Sequence, residues 1–174
     1  RGEFIPYRLE ELVELLVKIK EIVPPWVRIE RLGRDIPQGD IAAGYRESHL
    51  RQIVKKEARR RGITCRCVRC WEIGGRGKQG ELTFRKDTYQ VSGGQEEFLS
   101  FIDQENRLYS LLRLFLPEEG KIIFPCLKKA AIVRELHTYG QALPLGGKRK
   151  EASQHQGLGR KLLVKAEKIA KDKG

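Results

Sequence analysis

The sequence predicts a mixed α/β chain of the α+β kind, with a basic helical N-terminal part, a cysteine-bearing connection, and a sheet followed by a helix. Three observations carry this. Residues 8–23 repeat apolar side chains at helical spacing. Residues 81–139 contain four segments rich in β-branched and aromatic residues, separated by glycine and proline turns. Gln154-His155-Gln156-Gly157-Leu158-Gly159-Arg160-Lys161-Leu162-Leu163 is a glycine turn that opens directly into a helix.

In the first helix Leu9, Leu12, Val13, Leu16, Ile19 and Val23 are expected on the apolar face. Glu10, Glu11, Glu14, Lys18 and Lys20 are expected on the polar one. Pro24-Pro25 stops it. Trp26 to Leu32 alternates apolar and charged residues, as a half-buried strand does, and Gly33 to Pro37 reads as a turn. A helix followed by a strand is the repeating unit of α/β folds, so this part reads as the tail of a barrel or layered sheet. A second helix is expected over 46–61, with Ser48 as N-cap, Gly62 as stop and Leu50, Ile53, Val54 and Ala58 as its apolar stripe.

That helix is strongly basic. Arg51, Lys55 and Arg59 share one face, and Lys56, Arg60 and Arg61 lie close by. From Arg51 to Lys78 there are ten Lys or Arg against two Glu, which is two thirds of the net charge of +12. Such density on a short segment points to a polyanionic partner more than to a solvated face. Cys65-Arg66-Cys67-Val68-Arg69-Cys70 follows directly. Thiolates at this spacing can converge on one tetrahedral ion, and zinc suits the sulfur set. Cys126, His49 or a residue outside the sequence would supply a fourth ligand. Clustered cysteines fit a reducing compartment, so a cytoplasmic protein is expected. With 33% charged residues and no apolar run of membrane-span length, no membrane role is expected.

Gly74 to Gly80 reads as a linker or hairpin tip. Strands are expected over 81–91, 97–102, 108–116 and 129–139, with Ser92-Gly93-Gly94 turning between the first two. After Gly159 the apolar residues Leu162, Leu163, Ala166, Ile169 and Ala170 line one helix face. Free amides at its first turn, with Arg160 and Lys161 beside them, suit a phosphate.

The Gln-x-x-Gly-x-Gly pattern of 154–159 resembles the pyrophosphate loop of the acyl-CoA N-acetyltransferase (GNAT) superfamily. Four stretches together resemble the catalytic subunit of Elongator and its archaeal and bacterial counterparts, the tRNA wobble-uridine acetyltransferases. They are Val23-Pro24-Pro25-Trp26-Val27-Arg28-Ile29 with Arg34-Asp35-Ile36-Pro37, the Cys65–Cys70 cluster, Arg134-Glu135-Leu136-His137-Thr138-Tyr139-Gly140, and Gln154 to Arg160. The resemblance implies that residues 1–61 are the end of a radical-SAM barrel, 62–80 a zinc-binding connection, and 81–174 the front half of a GNAT domain.

It further implies acetyl-CoA against Glu135, Leu136, His137 and Thr138, with its pyrophosphate at Gln154, Gly157, Leu158, Gly159 and Arg160. Cys65, Cys67 and Cys70 would hold zinc. A tRNA would lie along Arg51, Lys55, Lys56, Arg59, Arg60, Arg61, Arg66 and Arg69. Accessory subunits or a second copy are further expected partners. S-adenosylmethionine and an iron–sulfur cluster would belong to a part of the parent protein whose cysteines this sequence lacks, so it reads as a fragment, inactive alone. Glu135, the one carboxylate on the cofactor strand, is the candidate base. Two other functions compete: a zinc-stabilised tRNA-binding module without turnover, and a protein lysine acetyltransferase. The net charge of +12 disfavours the latter, because its substrates are basic tails.

Overall fold

The computed structural model describes residues 4–33, 36–46, 49–74, 80–121, 124–127, 129–140 and 157–173. The chain divides into two compact units, 1–70 and 71–174. The stretch 62–80, expected as one connection, is therefore shared between them.

The first unit is built on α1 (Leu9–Ile22) and α2 (Leu50–Arg60). Glu10 and Glu11 sit in the first turn of α1, where they favour the positive end of its dipole. Val13 and Val17 meet Leu50, Val54 and Ala58 of α2 in a small core, with Leu9, Leu12, Leu16, Ile53 and Ile63 around it. Arg61 ties the helices on the outside, reaching Glu14 at 2.6 Å and Glu57 at 2.7 Å. Gly62 at φ +71° closes α2. The Gly62 and Ile63 amides donate to Arg59 O (3.0 Å) and Ala58 O (2.9 Å), the paired bonds of a glycine C-cap. Ser48 lies outside the described residues, and His49 occupies the cap position of α2.

Two expectations are corrected here. The buried stripe of α1 runs through Val13, Val17 and Lys20, while Ile19 is 37% exposed. Lys20 follows Val13 and Val17 at i+7 and i+3, so its phase puts it inside, at 3% exposure, although its residue type assigned it to the polar face. The segment 26–32 forms no strand. Its acceptors go to side chains and to a neighbouring loop. Arg51 Nη2 donates to Ile29 O (3.1 Å) and Glu30 O (2.6 Å), Arg69 Nη1 to Glu30 O (3.1 Å), and the Val68 amide to Val27 O (2.9 Å). Burial along it does not alternate, since Val27, Glu30 and Arg31 are exposed while Arg28 and Ile29 are half-buried, and among the described residues no strand lies beside it to form a ladder. A short helix, α3 (Val68–Trp71), leads to the second unit.

That unit is an antiparallel sheet in the order β1 (Thr83–Val91), β2 (Gly94–Ile102), β3 (Leu108–Pro117), β4 (Ile132–Thr138), packed against α4 (Leu158–Lys173). The central strands β2 and β3 are almost wholly buried, as runs such as Leu111-Leu112 and Phe98-Leu99 require. Leu158, Leu162 and Ala166 are the buried line of α4. Its face of the sheet includes Phe84 and Phe101, whose rings meet edge-on at 5.9 Å, and Lys165 Nζ lies 4.1 Å from the Phe84 ring centre.

Gly94 opens β2 where no side chain fits. A Cβ there would lie 2.3 Å from Leu116 O and 3.0 Å from Pro117 Cα. Since backbone cannot yield cheaply, Gly94→Ala is expected to destabilise the unit by about 2–3 kcal/mol, read from urea unfolding.

Asp103 organises the β2–β3 turn. Oδ1 accepts the Glu105 and Arg107 amides (3.0 and 2.9 Å), while Oδ2 accepts Arg107 Nε (2.6 Å) and Tyr109 Oη (3.1 Å). Burial pushes its carboxyl up, but the Arg107 amide and guanidinium and the Tyr109 hydroxyl outweigh it, leaving the pKa below the ordinary 3.8. A depressed folded-state pKa gives stability that is present above the ordinary value and lost as pH falls through the lower one. Below pH 3.8 the wild type should therefore lose stability faster than Asp103→Asn, measured as unfolding midpoint against pH.

Candidate functional site

Two places gather chemistry, one in each unit. In the first, Cys65, Cys67 and Cys70 bring their sulfurs within 4.8 Å of one another. Tetrahedral zinc with bonds of about 2.3 Å holds sulfurs about 3.8 Å apart, so the trio fits the ion with a small closure. Among the described residues no fourth His, Cys, Asp or Glu joins the group. Cys67 is buried, Cys65 half-buried and Cys70 exposed. The loop is set by the start of α3, where the Cys70 amide donates to Cys67 O at 2.8 Å.

The thiols are electrostatically unequal. The Cys65 and Cys70 thiols hydrogen-bond to Cys67, and the amides of Ile29 and Cys70 add to them against the cost of burial, so Cys67 is held far below the usual thiol range. Cys70 is pushed up by those same sulfur contacts and by burial. A metal would require all three as thiolates. Lys20 Nζ approaches Cys70 Sγ at 4.0 Å. Neither Lys20 nor the Ile29 amide was legible as part of this centre, because both come from segments read as a polar helix face and a strand.

The eight basic residues nominated for tRNA separate into two groups. Arg51 and Arg69 hold the carbonyls of 29–30, while Arg60 and Arg61 are paired with Glu57, which they hold down to about 2. Lys55, Lys56, Arg59 and Arg66 are exposed and have no partner among the described residues. A cleft of about 790 Å³ in the same unit is bordered by Arg31, Arg46, Arg51 and Arg69, with Glu30 as its acidic residue.

In the second unit, the first turn of α4 lies beside β4. A Cβ on Gly159 would lie 3.6 Å from Thr138 Oγ1 and 3.8 Å from Leu136 Cδ2. Gly157 at φ +64° makes the turn, and Lys161 N–H donates to its carbonyl at 2.9 Å. The amides of Leu158, Gly159 and Arg160 precede this first helical bond and are left to other acceptors. No acidic residue occupies the first turn, where Arg160 and Lys161 face the positive end of the dipole. That arrangement is unfavourable until an anion sits there. A depression of about 440 Å³ adjoins it, lined by Phe101, Gly157, Arg160, Lys161, Val164 and Lys165. Gln154 lies outside the described residues.

Strand alternation separates the nominated residues of β4. Leu136 and Thr138 face α4, and Thr138 Oγ1 meets Ser110 Oγ at 2.9 Å. Glu135 and His137 point to the opposite face. The His137 ring lies 4.3 Å from that of Tyr139, and Glu135 Oε2 accepts Arg113 Nε at 2.7 Å. Arg113 also reaches Glu96 Oε1 at 3.2 Å and Tyr89 Oη at 2.9 Å, and Arg134 binds Glu96 Oε2 at 2.7 Å. Tyr89 donates a short hydrogen bond to Glu96. Arg134 enters this set through a bulge, being the extra residue of β4 opposite Arg113 and Leu114. Burial pushes the Glu96 carboxyl up, but Tyr89, Arg113 and Arg134 outweigh it and keep it below its ordinary value. Burial and then Glu96 push the Tyr89 hydroxyl up to about 12.

Comparison with known proteins agrees with both units. Residues 1–60 match the Radical_SAM C-terminal domain family. A tRNA uridine(34) acetyltransferase of Dehalococcoides mccartyi is 44% identical over 98% of this chain, which covers 38% of that protein. One from Methanocaldococcus jannaschii is 41% identical over 99% of the chain and 33% of its own length. Elongator complex protein 3 of Homo sapiens is 38% identical over 98% of the chain, which covers 32% of it. The solved structure of Methanocaldococcus infernus Elp3 with an N-terminal deletion superposes with a TM-score of 0.82 at 38% identity, over 99% of this chain and 42% of that one. This chain spans between about a third and two fifths of the length of these relatives. In sequence and in fold it is a relative, along nearly its whole length, of one segment of the tRNA uridine(34) acetyltransferase and Elongator complex protein 3 family.

Proposed function

We propose that the parent protein is an acetyl-CoA-dependent tRNA acetyltransferase acting on the wobble uridine, and that this segment supplies its acyl-carrier site, a zinc-pinned loop and a basic tRNA contact. The observation that carries the reading is the first turn of α4 beside Leu136 and Thr138, where free amides and cations adjoin a strand. In this reading the turn at Gly157, Leu158, Gly159 and Arg160, with Gln154 before it, takes the pyrophosphate. The edge of β4 from Glu135 to Thr138 orders the pantetheine arm. Acetyl-CoA, when bound, supplies a thioester-activated acetyl group. Glu135, with one oxygen held by Arg113, is the carboxylate assigned as base.

Cys65, Cys67 and Cys70 hold zinc, which fixes the loop next to Arg66. Lys55, Lys56, Arg59 and Arg66 contact tRNA phosphates, whereas Arg51, Arg60, Arg61 and Arg69 shape the surface. S-adenosylmethionine and an iron–sulfur cluster belong to the remainder of the parent protein. A cytoplasmic setting suits reduced thiols and a tRNA substrate, and accessory subunits or a second copy complete the proposed partners.

The test is acetyl-CoA hydrolysis by the full-length parent, with and without tRNA, together with hydrogen exchange over 157–163. Stimulation by tRNA and protection of that turn by acetyl-CoA are the expected results. Lack of protection would remove the cofactor assignment. Tight, salt-sensitive tRNA binding without hydrolysis would favour the second reading, a zinc-stabilised tRNA-binding module. Lys55, Lys56, Arg59 and Arg66, exposed and without a partner among the described residues, support that alternative.

A further inference from the structure

A lysine with 3% exposure is rare unless its charge is met. Lys20 is such a residue. It stands in the last turn of α1, in phase with the core residues Val13 and Val17, and its Nζ ends 4.0 Å from Cys70 Sγ. The three sulfurs are within 4.8 Å of one another, so this ammonium meets the cluster at its Cys70 sulfur. Among the described residues no ion pair meets this cation. The core beneath it is aliphatic, and the acidic residues of α1 that make ion pairs, Glu11 and Glu14, pair with Arg8, Lys18 and Arg61.

Resting on the zinc reading above, we infer that Lys20 is the built-in counter-ion of a tris-thiolate metal centre formed by Cys65, Cys67 and Cys70. The charges balance with a divalent ion. Three thiolates and one such ion leave a single negative charge, and one ammonium cancels it. A neutral fourth donor keeps the sum at zero, whereas a fourth thiolate would leave a negative charge uncompensated. Partial burial makes that difference costly, because solvent screens it poorly. The Ile29 amide, which reaches Cys67, contributes the same sense of charge. Lys20 is accordingly a positioning residue that stabilises the metal-loaded loop without ligating the ion.

The experiment uses the full chain with zinc alone, titrated against a chromophoric chelator, in wild type, Lys20→Met and Lys20→Arg. Lys20→Met keeps the stem and removes the charge, and Lys20→Arg keeps the charge. Lys20→Met is expected to weaken zinc binding by about tenfold or more, the usual scale for losing an outer partner, while Lys20→Arg recovers most of it. Cobalt substitution should show unchanged thiolate-to-metal intensity in Lys20→Met but a shifted band. Equal zinc affinity in wild type and Lys20→Met would overturn the inference. Absence of zinc binding by the wild type would overturn the metal reading beneath it. Should Lys20→Met not fold, amine labelling of the wild type decides. Lys20 is expected to be protected with zinc bound and labelled after chelation, and equal labelling in both states overturns the assignment.

Discussion

Cys67→Ser is expected to abolish metal binding and to loosen the whole loop from Ile63 to Trp71. Cys67 is the buried sulfur of the trio and the one that accepts two backbone amides as well as two thiols. A serine oxygen is too short and too hard to replace it in a sulfur site. Its loss should exceed the roughly 10–100-fold fall in affinity that follows removal of an outer-shell partner. Stability should follow affinity, because a site that does not exist in the unfolded chain turns binding energy into folding energy. The measurements are zinc content of the purified parent and its thermal midpoint with and without chelator. Wild type should fall on chelation to the level of the variant, which should itself be indifferent to chelator. A variant that retained zinc and the wild-type midpoint would show that the three sulfurs are only neighbours.

Arg113→Met should be the most damaging single change in the sheet, at about 3–5 kcal/mol. Arg113 is 17% exposed and reaches Glu96, which is 3% exposed, as well as Tyr89 and Glu135. Its guanidinium also lies 5.2 Å from the centre of the Phe98 ring. Removing it leaves a buried carboxylate served by Tyr89 and Arg134 alone. The comparison that gives the number meaning is Glu135→Gln. Glu135 is 37% exposed, so breaking its pair with Arg113 should cost less than about 1 kcal/mol. Urea unfolding of both variants separates the two roles. If Glu135→Gln also lowers acetyl-CoA turnover in the parent while sparing stability, Glu135 acts in the chemistry; if turnover is unchanged, it is part of the sheet's charge network.

Much of this was legible because residue type and phase agreed. The Val54–Ala58 stripe, the Gly62 stop, the Gly93 turn and the apolar line of α4 each follow from a local rule that tertiary structure reinforces. The errors come from residues where type and phase disagree. Lys20 is a cation in a core phase, and Glu96-Glu97 are acids inside a buried strand; β2, expected over 97–102, begins at Gly94. Both anomalies mark partners distant in sequence, the Cys70 sulfur for Lys20 and Arg113 for Glu96. The segment 26–32 failed for another reason. Period-2 alternation of residue type gives one buried and one exposed face where a neighbouring strand pairs with the segment, whereas here Val27 is exposed and Arg28 half-buried. For the nominated site, composition found the basic residues but could not separate the four that hold protein carbonyls or carboxylates from the four left to solvent.

Only Ile63 and Thr64 separate the glycine that ends α2 from Cys65. Ile63 is itself anchored, by its amide on Ala58 O and by its side chain on the core. The slack between helix and sulfur loop is therefore about one residue, roughly 3.5 Å of chain. A tether that short behaves as a rod. The last turn of α2 and the start of the sulfur loop therefore have little freedom to move independently. The position of Cys65 is thus set by where Gly62 ends the helix.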